Sequence, residues 1–107
     1  MNLGRFEEAK PLLRKTIPVA RRVLGEGHDV TLRLRWIYGQ ALYKDDGASL
    51  DDLREGVSTF EDTERIARRV LGGAHPLTVG LDDELRDARA ALRAREAGKS
   101  VVFVESN

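Results

Sequence analysis

Residues 20–31, ARRVLGEGHDVT, return at residues 67–78 as ARRVLGGAHPLT, without a gap and with eight of twelve positions identical. Chance is a poor source for such a match inside a chain of 107 residues. Self-similarity at a fixed period of about 20–50 residues is instead the signature of stacked repeats, whose units bury their apolar faces against one another. The 47-residue offset thus predicts two copies of one helical unit sharing a stack.

The apolar spacing agrees. Phe6, Ala9, Leu13, Ile17, Ala20 and Leu24 fall three or four residues apart and mark one face of a first helix, with Leu12, Val19 and Val23 as a second stripe beside it. Gly25 is placed to end it, because glycine reaches the left-handed conformation of a helix C-terminus without strain. Pro11 and Pro18 lie inside this pattern, and Pro18 should kink the helix or leave the Arg14 carbonyl without its amide partner. A second helix is predicted from Asp29 to about Lys44, apolar on two sides and so packed between neighbours. After the turn DDGAS, residues 45–49, Ser49 and Asp52 resemble a capping box. A third helix then runs to Gly72-Gly73. Pro76 suits the first position of a fourth helix, whose single stripe of Leu77, Leu81, Leu85, Ala88 and Leu92 suits the end of a stack. EAGKS, residues 96–100, reads as a helix break, and the apolar VVFVESN as a β-prone tail. The predicted fold is all-α: about four helices over residues 1–97, in antiparallel pairs, then a tail over 98–107.

Composition narrows the class. The chain is 41% hydrophobic and 34% charged, too apolar for disorder, and its lack of an 18-residue apolar run excludes a membrane span. No signal or transit peptide is visible. With no cysteine there are no disulfides or thiolate sites, and a cytoplasmic protein is expected. Net charge is zero but uneven: residues 1–44 hold nine basic against four acidic groups, residues 45–107 nine against fourteen. This implies either a dipolar stack or ordinary solvated faces.

The residues Gly4, Phe6, Glu8, Ala9, Pro11, Leu12 and Leu13, followed by Val23, Leu24, Gly25 and His28, resemble the tetratricopeptide repeats of the kinesin light chain type. In the second copy Val70, Leu71, Gly72, His75, Pro76 and Thr78 match the same pattern. The family's repeat is about 42 residues, so the 47-residue offset implies an insertion, most simply near residues 47–51. The resemblance implies a short right-handed solenoid that holds peptides or partner helices in a groove lined by the first helix of each pair. Here those helices span Asp29 to Lys44 and Leu77 to Arg93, and Arg33, Trp36, Ile37 and Gln40 become partner-binding candidates. At the family's peptide-clamping asparagine pair this chain has Trp36-Ile37, and Asp83-Glu84 in the second copy. The usual amide clamp is therefore absent. Trp36 is then either an interaction hot spot or a core residue between stacked repeats.

The resemblance also implies a helix before the first one here, so the face carrying Phe6, Leu13 and Leu24 is expected to lack a usual partner. Phe6 and Leu13 are accordingly candidates for contact with a second copy or with the rest of a longer array. The tail could add to a partner's sheet edge, dock on an apolar groove, or be an unstructured end.

Catalytic chemistry is not predicted. His28 and His75 occupy equivalent link positions, where capping is expected, and no His/Cys cluster accompanies them as a metal site. LDDELRD, residues 81–87, lacks calcium-loop spacing and reads as a solvated helix start. No phosphate-loop, dinucleotide, nucleophile-elbow or zinc-protease motif occurs, and no cofactor is expected. The expected function is a non-catalytic protein-interaction scaffold. The alternative is a nucleic-acid-binding repeat using Arg14, Lys15, Arg21, Arg22, Arg33 and Arg35 against phosphates, although neutral net charge and absent aromatic interleaving speak against it.

Overall fold

The structure, a computed structural model, describes residues 3–105, with side chains described over 7–98. Among the described residues it consists of four helices and their links: α1 (Leu3–Leu24), α2 (Asp29–Tyr43), α3 (Leu50–Leu71) and α4 (Pro76–Glu105). Consecutive helices pack on each other and α4 also touches α2, while the backbones of α1 and α3 stay apart. This is the neighbour pattern of a tetratricopeptide-like helical repeat. Helices α2 and α4 take the first position of successive pairs, and α1 and α3 the second.

The repeated motif is a helix-to-helix link used twice. Gly25 and Gly72 stop α1 and α3 at φ +97° and +94°, a conformation that disfavours any side chain. Three residues on, the His28 Nδ1 accepts the Val30 amide at 3.1 Å and the His75 Nδ1 accepts the Leu77 amide at 3.0 Å. Each histidine thus satisfies one of the amides a helix start leaves unpaired. The α2–α3 turn uses a different device. Ser49 Oγ accepts the Asp52 amide and the Asp52 carboxylate accepts the Ser49 amide, a complete capping box. Helix α1 runs unbroken through Pro11 and Pro18.

Two apolar clusters hold the stack. Leu32, Phe60, Ile66, Ala67, Leu77, Leu81, Leu85 and Ala88 join α2, α3 and α4. Leu13 and Ile17 pack with Tyr38 and Leu42 between α1 and α2. Phe60 is fully buried, worth about 2–3 kcal/mol in transfer from water. It lies so close to Gly39 that a Cβ there would stand 2.5 Å from the ring. Polar ties bind α4 to the rest: Arg89 donates to Glu61 at 2.9 Å, and Arg95 to the Ala48 carbonyl at 3.0 Å.

Two expectations are corrected. The chain does not break at EAGKS, because α4 continues to Glu105. A single glycine costs a helix only about 1 kcal/mol, Gly98 has no positive φ, and β-prone residues express that preference only against a neighbouring strand. The second correction concerns Leu13, which is not on an open face. It is 6% exposed and faces Ile17, Tyr38 and Leu42. The open stripe of α1 is its neighbour, with Leu12, Val19 and Val23 at 65, 46 and 69% exposure. Phe6 lies outside the residues whose side chains are described.

Candidate partner-binding groove

Where α4 touches α2, a carboxylate sits under three donors. Glu84 of α4 is 9% exposed. It accepts the Trp36 indole Nε1–H at 3.2 Å and hydrogen bonds from the Gln40 side-chain amide and the Tyr43 hydroxyl. Lys44 Nζ adds an ion pair at 3.5 Å. Trp36, Gln40 and Tyr43 lie on α2 and Lys44 directly follows it, all within about two turns, which is why one acidic side chain can gather them. Burial alone would raise the Glu84 carboxyl, but the bonds from Tyr43, Gln40 and Trp36 and the Lys44 charge outweigh it and hold the group below the ordinary glutamate range. Burial first, and then the Glu84 bond and charge, push the Tyr43 hydroxyl far up. Glu84 is therefore ionised and its donors stay protonated at neutral pH.

This arrangement fixes the indole. One edge of Trp36 is held by Glu84, and its ring lies over Gly80, where a Cβ would collide with it. Beside it, Arg33, Trp36, Ile37 and Gln40 line a shallow depression of about 200 Å³. Ile37 is 48% exposed, and the nearby Val30 and Val79 are open to a similar degree. Arg33 is held by Asp29 one turn earlier, at 2.9 Å. A partly buried aromatic ring pinned by hydrogen bonds, next to an open aliphatic side chain, is preorganised to receive an apolar group with little loss of side-chain freedom.

The four groove candidates thus share one surface. Trp36 packs against the α2–α3–α4 core and also faces the depression. Leu13 belongs to the α1–α2 core instead. Sequence reasoning missed Glu84, Tyr43, Lys44 and Gly80. LDDELRD is a solvated stretch only in part: Asp83 is exposed and bonded to Arg86, while Glu84 is buried. The available signal was position, since Gly80 and Glu84 lie four apart and flank the Leu77, Leu81, Leu85 stripe. His28 and His75 are caps, and among the described residues no group of three or more His, Asp or Glu is placed to hold a metal. Among those residues no helix is long and apolar enough to cross a membrane.

Comparison with known proteins gives one likeness. The tetratricopeptide repeat family model matches residues 1–29, the stretch covering α1 and its link into α2, and supports a protein of the tetratricopeptide repeat type. Neither a search of curated proteins nor one of solved structures finds a match.

Proposed function

We propose that this chain is a non-catalytic interaction element that holds a segment of another protein on the open side of α2, beside α4, at Arg33, Trp36, Ile37 and Gln40. The observation that carries this is the Trp36 indole, bonded to Glu84 and seated over Gly80, with an exposed isoleucine next to it. Tetratricopeptide repeats generally serve protein–protein interaction, and α2 and α4 are the helices that line the groove in that architecture. The kinesin-light-chain likeness supports the same surface by a different means of holding. Trp36 and Ile37 stand where that family has amides, so apolar contact replaces the backbone clamp. The fitting ligand is a short segment with an aliphatic or aromatic side chain for the depression and a carboxylate within reach of Arg33.

The test is selection of peptides from a displayed random library on the wild-type protein, followed by binding of the selected peptides to Ile37→Asp. Peptides that bind the wild type and lose at least tenfold on the variant support the groove. Selected peptides that bind both proteins equally place the interaction elsewhere and overturn it.

The open stripe of Leu12, Val19 and Val23 favours a second contact. It is the surface through which α1 packs against a second copy or against further repeats. Light scattering over a wide concentration range tests the first occupant. Assembly abolished by Val19→Asp supports self-association, and a monomer throughout refutes it.

A further inference from the structure

The backbones of α1 and α3 do not touch, and α2 forms the floor between them. Near Tyr38 this gap is bridged by Arg14, which donates to the Tyr38 hydroxyl at 2.8 Å and pairs with Glu55 at 3.6 Å. Toward the α1–α2 link it opens into a cavity of about 230 Å³, lined by Arg14, Pro18, Arg21, Arg35, Tyr38 and Thr59 among others. A second depression of about 330 Å³ adjoins it through Pro18 and Arg21 and adds Arg22 and Glu26.

Arg35 is the anomaly in this cavity. It is 9% exposed, and its Nη1 has no hydrogen-bond partner among the described residues. Its nearest carboxylates stand too far off for a hydrogen bond, Glu26 at 3.8 Å from Nη1 and Asp62 at 3.9 Å from Nη2. Asp62 is already committed to Arg65, at 2.7 Å. Burial first, and then the Arg21 charge, press against the charged form of Arg35, drawing its pKa down from the ordinary arginine value. A buried charged donor left without a hydrogen bond is expensive, and such groups in folded proteins are normally answered by a ligand, an ion or water.

Glu26 shows what the seat accepts. Its Oε1 lies between Arg21, at 3.2 Å, and Arg35, at 3.8 Å, while the side chain is half exposed on the link. It serves two guanidiniums with one oxygen, and neither well. The second copy has no such seat, since Gly73 stands where Glu26 is and Asp82 where Arg35 is, and the counterpart of Arg21, Arg68, turns to Glu64 at 2.9 Å.

We propose that the α1–α3 cleft binds a phosphoryl group on a side chain of a partner protein, held by Arg21 and Arg35 with Arg14 at its edge, and that Glu26 occupies this seat when the site is empty. A phosphoryl group presents three terminal oxygens and up to two charges, so it offers guanidiniums converging from two helices one more acceptor oxygen and more charge than a carboxylate does. The surroundings favour an isolated phosphoryl group over a nucleic-acid strand. Glu55, Glu26 and Asp62 stand beside the cavity's arginines and oppose the extended charge of a polyanion, and Tyr38 is too buried to stack on a base. This site lies across α2 from the Trp36 groove and stands or falls independently of it.

The test is titration of the full chain with inorganic phosphate and then with phosphoserine, against serine, at constant ionic strength, read by the arginine Nε–Hε and backbone amide resonances. Saturable shifts at Arg21, Arg35 and the Glu26 link are expected. Binding should weaken several-fold in Arg21→Gln, an exposed position that spares the fold, and strengthen several-fold in Glu26→Gln, which removes the competing charge. Shifts that do not saturate, or Glu26→Gln binding no better than wild type, overturn the site. A single-stranded RNA that displaces phosphate and binds more tightly, with a steep salt dependence, overturns the assignment to a phosphorylated side chain.

Discussion

The Trp36 indole and the Glu84 carboxylate, 48 positions apart in the chain, meet at 3.2 Å where α2 touches α4. That bond couples fold to surface. The carboxylate that ties the two helices together is also the group that orients the aromatic ring of the groove.

Glu84→Ala leaves Trp36, Gln40 and Tyr43 without their acceptor and Lys44 without its ion pair. Removing one member of such a buried set costs about 2–4 kcal/mol. Urea unfolding followed by helical circular dichroism checks this, and a loss well under 1 kcal/mol would show that water replaces the carboxylate.

The same residue sets an acid limit. The folded-state pKa of Glu84 lies below the ordinary value of 4.5. The associated stabilisation is therefore complete above that pH and is lost as the pH falls through the folded value. Glu84→Gln should be less stable than the wild type at pH 7, with the gap narrowing below about pH 4.5. A gap that stays constant down to pH 3 would contradict the assigned role.

Gly80→Ala separates the groove from the fold. Alanine favours the helix by up to about 1 kcal/mol, but its Cβ collides with the Trp36 ring. The chain has one tryptophan, so its fluorescence reports the ring directly. A shift to longer emission wavelength with helix content retained is expected, and an unchanged spectrum would mean the ring does not rest on Gly80.

Gly39→Ala acts on the core. Its Cβ would stand 2.5 Å from Phe60 Cζ, and Phe60 is fully enclosed with nowhere to move. Overpacking of this kind costs about 1–3 kcal/mol, against the helix-propensity gain. A lowered urea midpoint is expected, whereas a raised one would mean the ring moves freely.

Much of this was legible in the sequence, because it depends on local chemistry. Gly25, Gly72, His28, His75, Ser49 and Pro76 mark helix ends through their own backbone preferences and side-chain reach, and the 47-residue repeat shows that the marks belong to one device. Arg33, Trp36, Ile37 and Gln40 share a face simply because they lie three, four and seven apart on one helix. What was not legible depends on how helices rotate against each other. Leu12 and Leu13 are equally apolar, and only the seating of α1 on α2 decides which is buried. Among Asp82, Asp83 and Glu84, only the approach of α4 to α2 selects Glu84. The continuation of α4 past Gly98 was not legible because β-propensity is expressed only against a neighbouring strand, and the described residues contain none.

Binding of partners beside Trp36, as proposed, is decided by a proton–nitrogen correlation spectrum of the labelled protein titrated with a peptide selected on it. Binding in the groove shifts the Trp36 indole, the Ile37 and Gln40 amides and the neighbouring Gly80 and Glu84 amides, and Ile37→Asp abolishes those shifts. Shifts confined to other surfaces, with the Trp36 indole unmoved at saturation, would contradict it.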